Sequence, residues 1–149
     1  MVVPSTYGDW IDALEELKTV VKDPKYIEIL GRGTNNYNEA TTKRLIDKID
    51  EVVRVRLKTS LDKFIGKLSY IVSRPTNFNF ELLELKKEFY FVYSLCSLPV
   101  IPEINKEKLR NSIKMVADAN QITLEEQVNK IDGTGQLLSI LKNNRINNL

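Results

Sequence analysis

Residues 41–74, TTKRLIDKIDEVVRVRLKTSLDKFIGKLSYIVSR, constrain the fold more than any other stretch. Ile46, Ile49, Val53, Leu57, Leu61, Phe64, Leu68 and Ile71 recur at steps of three and four, which places them on one face of a helix. Thr41 or Thr42 offers a hydroxyl to the first free N–H groups, which gives the helix a start. Pro75 disfavours the helical region for Arg74, which gives it a stop. At 1.5 Å per residue the helix runs for roughly 48 Å, and the other segments must pack against it. Glycine costs roughly 1 kcal/mol relative to alanine inside a helix, so a bend is expected at Gly66.

The same stretch carries a second stripe. Arg56, Lys63, Lys67 and Arg74 fall within about 40° of one another, beside the apolar face. No acidic residue of the helix shares this stripe. Asp47, Asp50, Glu51 and Asp62 project elsewhere and can pair with Lys43, Lys48, Arg54 and Lys58. One reading is a solvated flank whose aliphatic stems cover the edge of the core. The other is a row of cations, about 27 Å long, for a nucleic-acid backbone. Lys106, Lys108, Arg110 and Lys114 form a second basic cluster. With Lys48 these make nine candidate nucleic-acid-binding residues, the ones that would contact RNA if the backbone is RNA.

Composition narrows the chemistry. The chain of 149 residues is long enough for one domain with a real core. A net charge of +2 makes nucleic-acid binding a matter of local clustering. Histidine, the commonest general base near neutral pH, is absent. The single cysteine supplies neither a disulfide framework nor a zinc set. A protein that is not an enzyme, with no cofactor and no metal, is therefore expected. No run approaches the ~20 apolar residues of a membrane span, and the first ten residues do not read as a secretory signal. The expectation is a soluble, cytoplasmic protein with no membrane partner.

Taken in order, Trp10, Leu14, Leu17 and Val21 predict a helix over residues 9–21, capped by Asp9. Trp10 reads as a core anchor. Pro24 opens a short helix that ends at Gly31. GRGTNNYNEA, residues 31–40, is a loop; its Gly-Arg-Gly can approach a phosphate or serve as a plain connector. Asn79 is expected to cap a helix over residues 80–98, apolar on most sides, that faces either its own core or a partner. Phe89 should lie in the core, and Cys96 should be a small buried hydrophobe. After Pro99 and Pro102 the periodicity predicts a helix over 104–120. Thr123 and Glu126 then form a capping box for a helix over 124–131. Gly133 and Gly135 separate this from a helix over 136–143, and residues 143–149 should fray. The fold expected is all-α, a single domain over residues 1–149, built as a helical bundle of about six or seven helices with one long helix.

Two segments resemble the small helical subunit of type III CRISPR effector complexes, the Csm small subunit. The first is TTKRLIDKIDEV, residues 41–52, a Thr-rich cap before a Leu-containing amphipathic run. The second is LLELKKEFY, residues 82–90, similar to that family's L-x-x-L-K-x-x-F/L-x-Y text. Ile46 stands where the family usually has a basic residue, and Val92-Tyr93-Ser94 stand where a small-residue pair with Gly commonly follows. The resemblance covers about a fifth of the chain. It implies a non-catalytic, sequence-independent RNA backbone-binding subunit of an effector ribonucleoprotein in antiviral defence. It also implies contacts with the guide–target duplex or a single strand, other effector subunits as partners, and self-association into a filament. The rival is a helical protein–protein interaction subunit of a replication or viral assembly. EVVRVRLKTSLDKFIGKL, residues 51–68, is similar to the helical domain of the archaeal replication complex GINS, although that family's small strand-rich domain has no counterpart in the sequence. A third reading takes KMVADANQITLEEQVNKI, residues 114–131, as a DNA-binding helix-turn-helix.

Overall fold

Asn38 starts the long helix. In the computed structural model, which describes residues 2–19, 23–71 and 73–149, its side chain accepts a hydrogen bond from the Thr41 N–H at 2.8 Å. The cap is thus three residues upstream of the threonine expected to supply it. Six helices are present among the described residues: α1 (Tyr7–Glu16), α2 (Pro24–Gly31), α3 (Glu39–Ile71), α4 (Pro75–Leu95), α5 (Glu103–Ile131) and α6 (Gln136–Asn143). No strand occurs among those residues, so the all-helical bundle with one long helix is the observed fold. α3, with 33 residues, packs against α1, α4 and α5. All six helices contribute to one core. No helix among the described residues is long and apolar enough to cross a membrane.

The ends of the elements correct the sequence reading in several places. Thr6, not Asp9, caps α1: its hydroxyl accepts from the Asp9 N–H at 3.1 Å, and the Asp9 carboxylate accepts from the Thr6 N–H at 3.2 Å. That box, with further bonds from Ser5, holds the Asp9 carboxyl below its ordinary value, the Ser5 N–H bond acting most strongly. α1 ends at Glu16, and Val21, expected to complete it, lies outside the described residues. α4 begins at Pro75 instead of residue 80. Proline fits the first helical turn because its missing N–H would have no partner there. The extra turn carries Phe78 into the core, where its ring meets Phe64 edge-on at 5.8 Å. Phe89 is fully buried, as expected. So is Cys96, and burial pushes its thiol up to about 12.

The two helices predicted over 104–120 and 124–131 are one, α5. Leu109, Ile113, Ala117, Gln121, Leu124 and Val128 keep an unbroken buried register through the supposed turn. The Thr123 hydroxyl donates to the Ala119 carbonyl at 3.1 Å instead of capping a new start. The capping-box reading and the helix-turn-helix reading therefore both fail. The tail expected to fray is tied down instead. Gln121, buried in α5, accepts from the Ile146 N–H at 2.9 Å and donates to the Leu141 carbonyl at 3.4 Å. Ile146 is in the core, Asn147 donates to Asp118 at 2.8 Å, and the Tyr90 hydroxyl donates to the Asn148 carbonyl at 3.1 Å.

The Gly-Arg-Gly loop serves packing. Trp10 is fully buried, and its indole N–H donates to the Thr34 carbonyl at 2.9 Å. A Cβ on Gly33 would stand 2.6 Å from the Trp10 ring, with the Leu30 and Pro4 carbonyl oxygens at 3.1 and 3.2 Å. A Cβ on Gly66 would meet nothing within 4 Å. The same substitution should thus have opposite effects at the two positions. Gly33→Ala should lower stability by about 1–3 kcal/mol through overpacking. Gly66→Ala should raise it by about 0.5–1 kcal/mol. Urea denaturation of the two variants checks both signs.

Candidate functional site

Two of the four stripe cations, Arg56 and Lys67, pair with α4, while Lys63 and Arg74 stay exposed. α3 and α4 run antiparallel, so Arg56, midway along α3, meets Glu88, and Lys67 meets Glu81 nearer the connection. Glu81, Glu84 and Glu88, spaced by three and four, form an acidic stripe on α4. Charges within one helix do not reveal those that the hairpin brings from the next.

Arg56 is the clearest correction. Only 3% of it and 2% of Glu88 is exposed. Its Nε donates to Glu88 Oε1 at 2.7 Å and one terminal nitrogen donates to Oε2 at 3.0 Å, a two-bond fork. The other terminal nitrogen donates to the Leu17 carbonyl at 2.7 Å and the Thr19 carbonyl at 2.9 Å. Those carbonyls leave the end of α1, whose last turn has no basic residue of its own. Arg56 supplies that charge from α3. Its guanidinium also lies 4.3 Å from the Phe91 ring centre. Enclosed by these partners, the Arg56 guanidinium is not available to a phosphate in this fold.

The other candidates divide. Lys67 is half-buried and bound to Glu81 at 3.0 Å. Lys48 belongs to an α1–α3 network: it contacts Glu15 and Glu51, while Lys18 reaches Glu51 at 2.8 Å and Glu15 at 3.0 Å. The Lys48 bond is the main cause that lowers the Glu15 carboxyl, and the Lys18 bond is the main cause for Glu51. Lys106 pairs with Glu103 at 2.9 Å. Arg110 donates to the Ser97 hydroxyl at 3.1 and 2.6 Å, which pins α5 to the end of α4. Lys114 lies 5.8 Å from the Tyr93 ring centre. Lys63, Arg74, Lys108 and Lys114 are exposed with no carboxylate partner among the described residues. They are spread over α3, the α3–α4 connection and α5 and do not complete the continuous stripe.

Lys63 does have surroundings. It lines a crevice of about 220 Å³ between α3 and α4 with Ser60, Lys67, Phe80 and Glu81. A smaller one of about 90 Å³, also lined by Ser60 and Lys63, reaches Arg56 and Glu88. Most of the charge in these crevices is already neutralised by Glu81 and Glu88. Two apolar features were also missed. Val53, Leu57, Leu61 and Ile65 of α3 face Leu109 and Ile113 of α5 across a groove of about 460 Å³. On the outer side of α5, Ile104, Met115 and Ile122 are 65%, 73% and 57% exposed. At 100° per residue these three fall within about 20° of one another, a signal present in the sequence.

The sequence matches no protein-family model, and neither a curated protein nor a solved structure matches it.

Removing one partner of a buried, hydrogen-bonded ion pair strands the other. Glu88→Ala should therefore destabilise the fold by about 3–5 kcal/mol, whereas Lys63→Ala, at an exposed position, should change stability by no more than about 0.5 kcal/mol. Thermal and urea unfolding of the two variants compares them directly. Glu15 and Glu51 titrate lower folded than unfolded, so their contribution is whole above the ordinary value of 4.5 and is lost as pH falls through the lowered values. The melting temperature of the parent should fall with acid over that range, and Glu51→Gln should fall less.

Proposed function

We propose that the protein is a non-catalytic helical subunit that acts through protein–protein contact. The observation that carries this reading is the second apolar stripe of α5. A surface helix in a bundle normally keeps one apolar face, turned to the core. α5 has that face in Leu109, Ile113, Ala117, Leu124 and Val128. It has another, about 180° away, in the exposed Ile104, Met115 and Ile122. Single exposed apolar residues are ordinary on protein surfaces, but these three share one azimuth over about 27 Å of one helix. The absence of histidine and the full burial of Cys96 fit a subunit that binds and does not catalyse.

The RNA-backbone reading, which the likeness to the Csm small subunit implies, keeps one observation in its favour. Lys63, Arg74, Lys108 and Lys114 remain exposed with no carboxylate partner among the described residues. Four phosphate contacts on a single strand would give a salt slope of about −2.8, or about a 50-fold loss of affinity between 50 and 200 mM salt. Fluorescence anisotropy with a labelled single-stranded RNA at those two concentrations separates the readings. No saturable binding is expected at either. Binding that weakens steeply with salt, and that weakens further in Lys108→Ala/Lys114→Ala, would replace the interaction reading with the RNA one.

A further inference from the structure

We infer that the occupant of the outer α5 stripe is a second copy of the same helix, packed antiparallel about a two-fold axis. The inference rests on the interaction reading and is carried by charge. In residues 103–114 of α5, Lys108 and Lys114 stand exposed beside Glu107, while Lys106 is paired with Glu103 and Arg110 is held to Ser97. Residues 115–131 hold three carboxylates, Asp118, Glu125 and Glu126, against Lys130. The helix is basic in its first half and acidic in its second. A parallel pair would set like against like. An antiparallel pair sets each half against its opposite, and the same patch serves both copies, as a two-fold interface requires.

One register satisfies the apolar and charged positions together. With Ile104 opposite Ile122 of the second copy, Lys108 falls opposite Asp118, and both contacts occur twice. The two Met115 side chains then lie on either side of the two-fold axis, about 6 Å apart along the helices, where a flexible thioether can fill the gap between the isoleucine pairs. Lys108 is exposed with no carboxylate partner among the described residues. Asp118 uses one oxygen to accept from Asn147 at 2.8 Å. Its other oxygen has no partner among the described residues, so it faces a lysine without giving up that bond. A single helix–helix seam lies at the small end of specific interfaces, so the dissociation constant should be on the order of 10–100 μM.

Sedimentation equilibrium of the full chain from about 5 to 300 μM, which brackets that constant, tests the dimer. The parent should pass from monomer to dimer across this range. Lys108→Glu sets carboxylate against carboxylate at two places, and Met115→Glu sets two at the axis; each should weaken the dimer by about tenfold or more. Lys108→Glu/Asp118→Lys restores the opposite charges and should return to within about threefold of the parent. All positions are exposed, and unchanged melting curves at low concentration confirm that folding is intact. A parent that stays monomeric throughout overturns the proposal. So does a dimer indifferent to Lys108→Glu and Met115→Glu, or a double charge exchange that fails to recover despite a normal melt. A monomeric parent removes this dimer and leaves room for a different protein partner, whereas salt-sensitive RNA binding removes the interaction reading itself.

Discussion

The Arg56–Glu88 pair sets the relation between three helices. Moving two charges out of water costs several kcal/mol per ion, and such a site persists only where geometry and further hydrogen bonds offset that cost. Both conditions hold: the two-bond fork satisfies the carboxylate, and the carbonyls of Leu17 and Thr19 take the remaining terminal nitrogen. The pair fixes the register of α3 against α4, and the carbonyl bonds fix where α1 ends against both. Leucine on leucine tolerates a shift of one turn with modest loss. A buried guanidinium does not, because a shift leaves it without an acceptor.

The basic stripe takes its meaning from this register. In sequence the four cations share an azimuth, and that geometry is correct. The partners come from α4, whose Glu81, Glu84 and Glu88 repeat at matching helical spacing on the antiparallel neighbour. The connection between α3 and α4 is only three residues long, and so short a link forces the two helices side by side. A cationic stripe and an acidic stripe on two helices so joined was the available sign of a hairpin. Lys63 is the member of the stripe without a carboxylate partner among the described residues that sits within the hairpin itself, where it lines a crevice with Phe80, Ser60 and Glu81.

Much of the fold was legible because apolar spacing is a direct record of burial. It placed the body of α3 and found α2 and α6. Boundaries were harder. Asn38, Thr6 and Pro75 outcompeted equally reasonable caps a few residues away, and only tertiary contacts such as Phe78 on Phe64 decide between them. The division of α5 came from giving Thr123 a capping role, although its hydroxyl can equally bond the carbonyl four residues back, which it does. The tail was misread because Asn-rich text scores as solvent-loving. Its anchoring depends on a buried glutamine 25 residues earlier, a contact that no local pattern reveals. The outer stripe of α5 is present in the spacing of Ile104, Met115 and Ile122, but the charged residues interleaved with them mask it in the sequence.

The central claim, that the guanidinium at the head of the stripe is sealed inside the bundle, can be tested at that group. Side-chain nitrogen–proton spectra report the rate at which each arginine Nε–H exchanges with water. Arg54, two residues earlier on α3 with a side chain 75% exposed, is the internal reference. The Arg56 Nε–H should exchange at least about a hundredfold more slowly than that of Arg54, since its exchange requires the bundle to open. Equal rates for the two arginines would contradict the account, because they would put Arg56 in solvent.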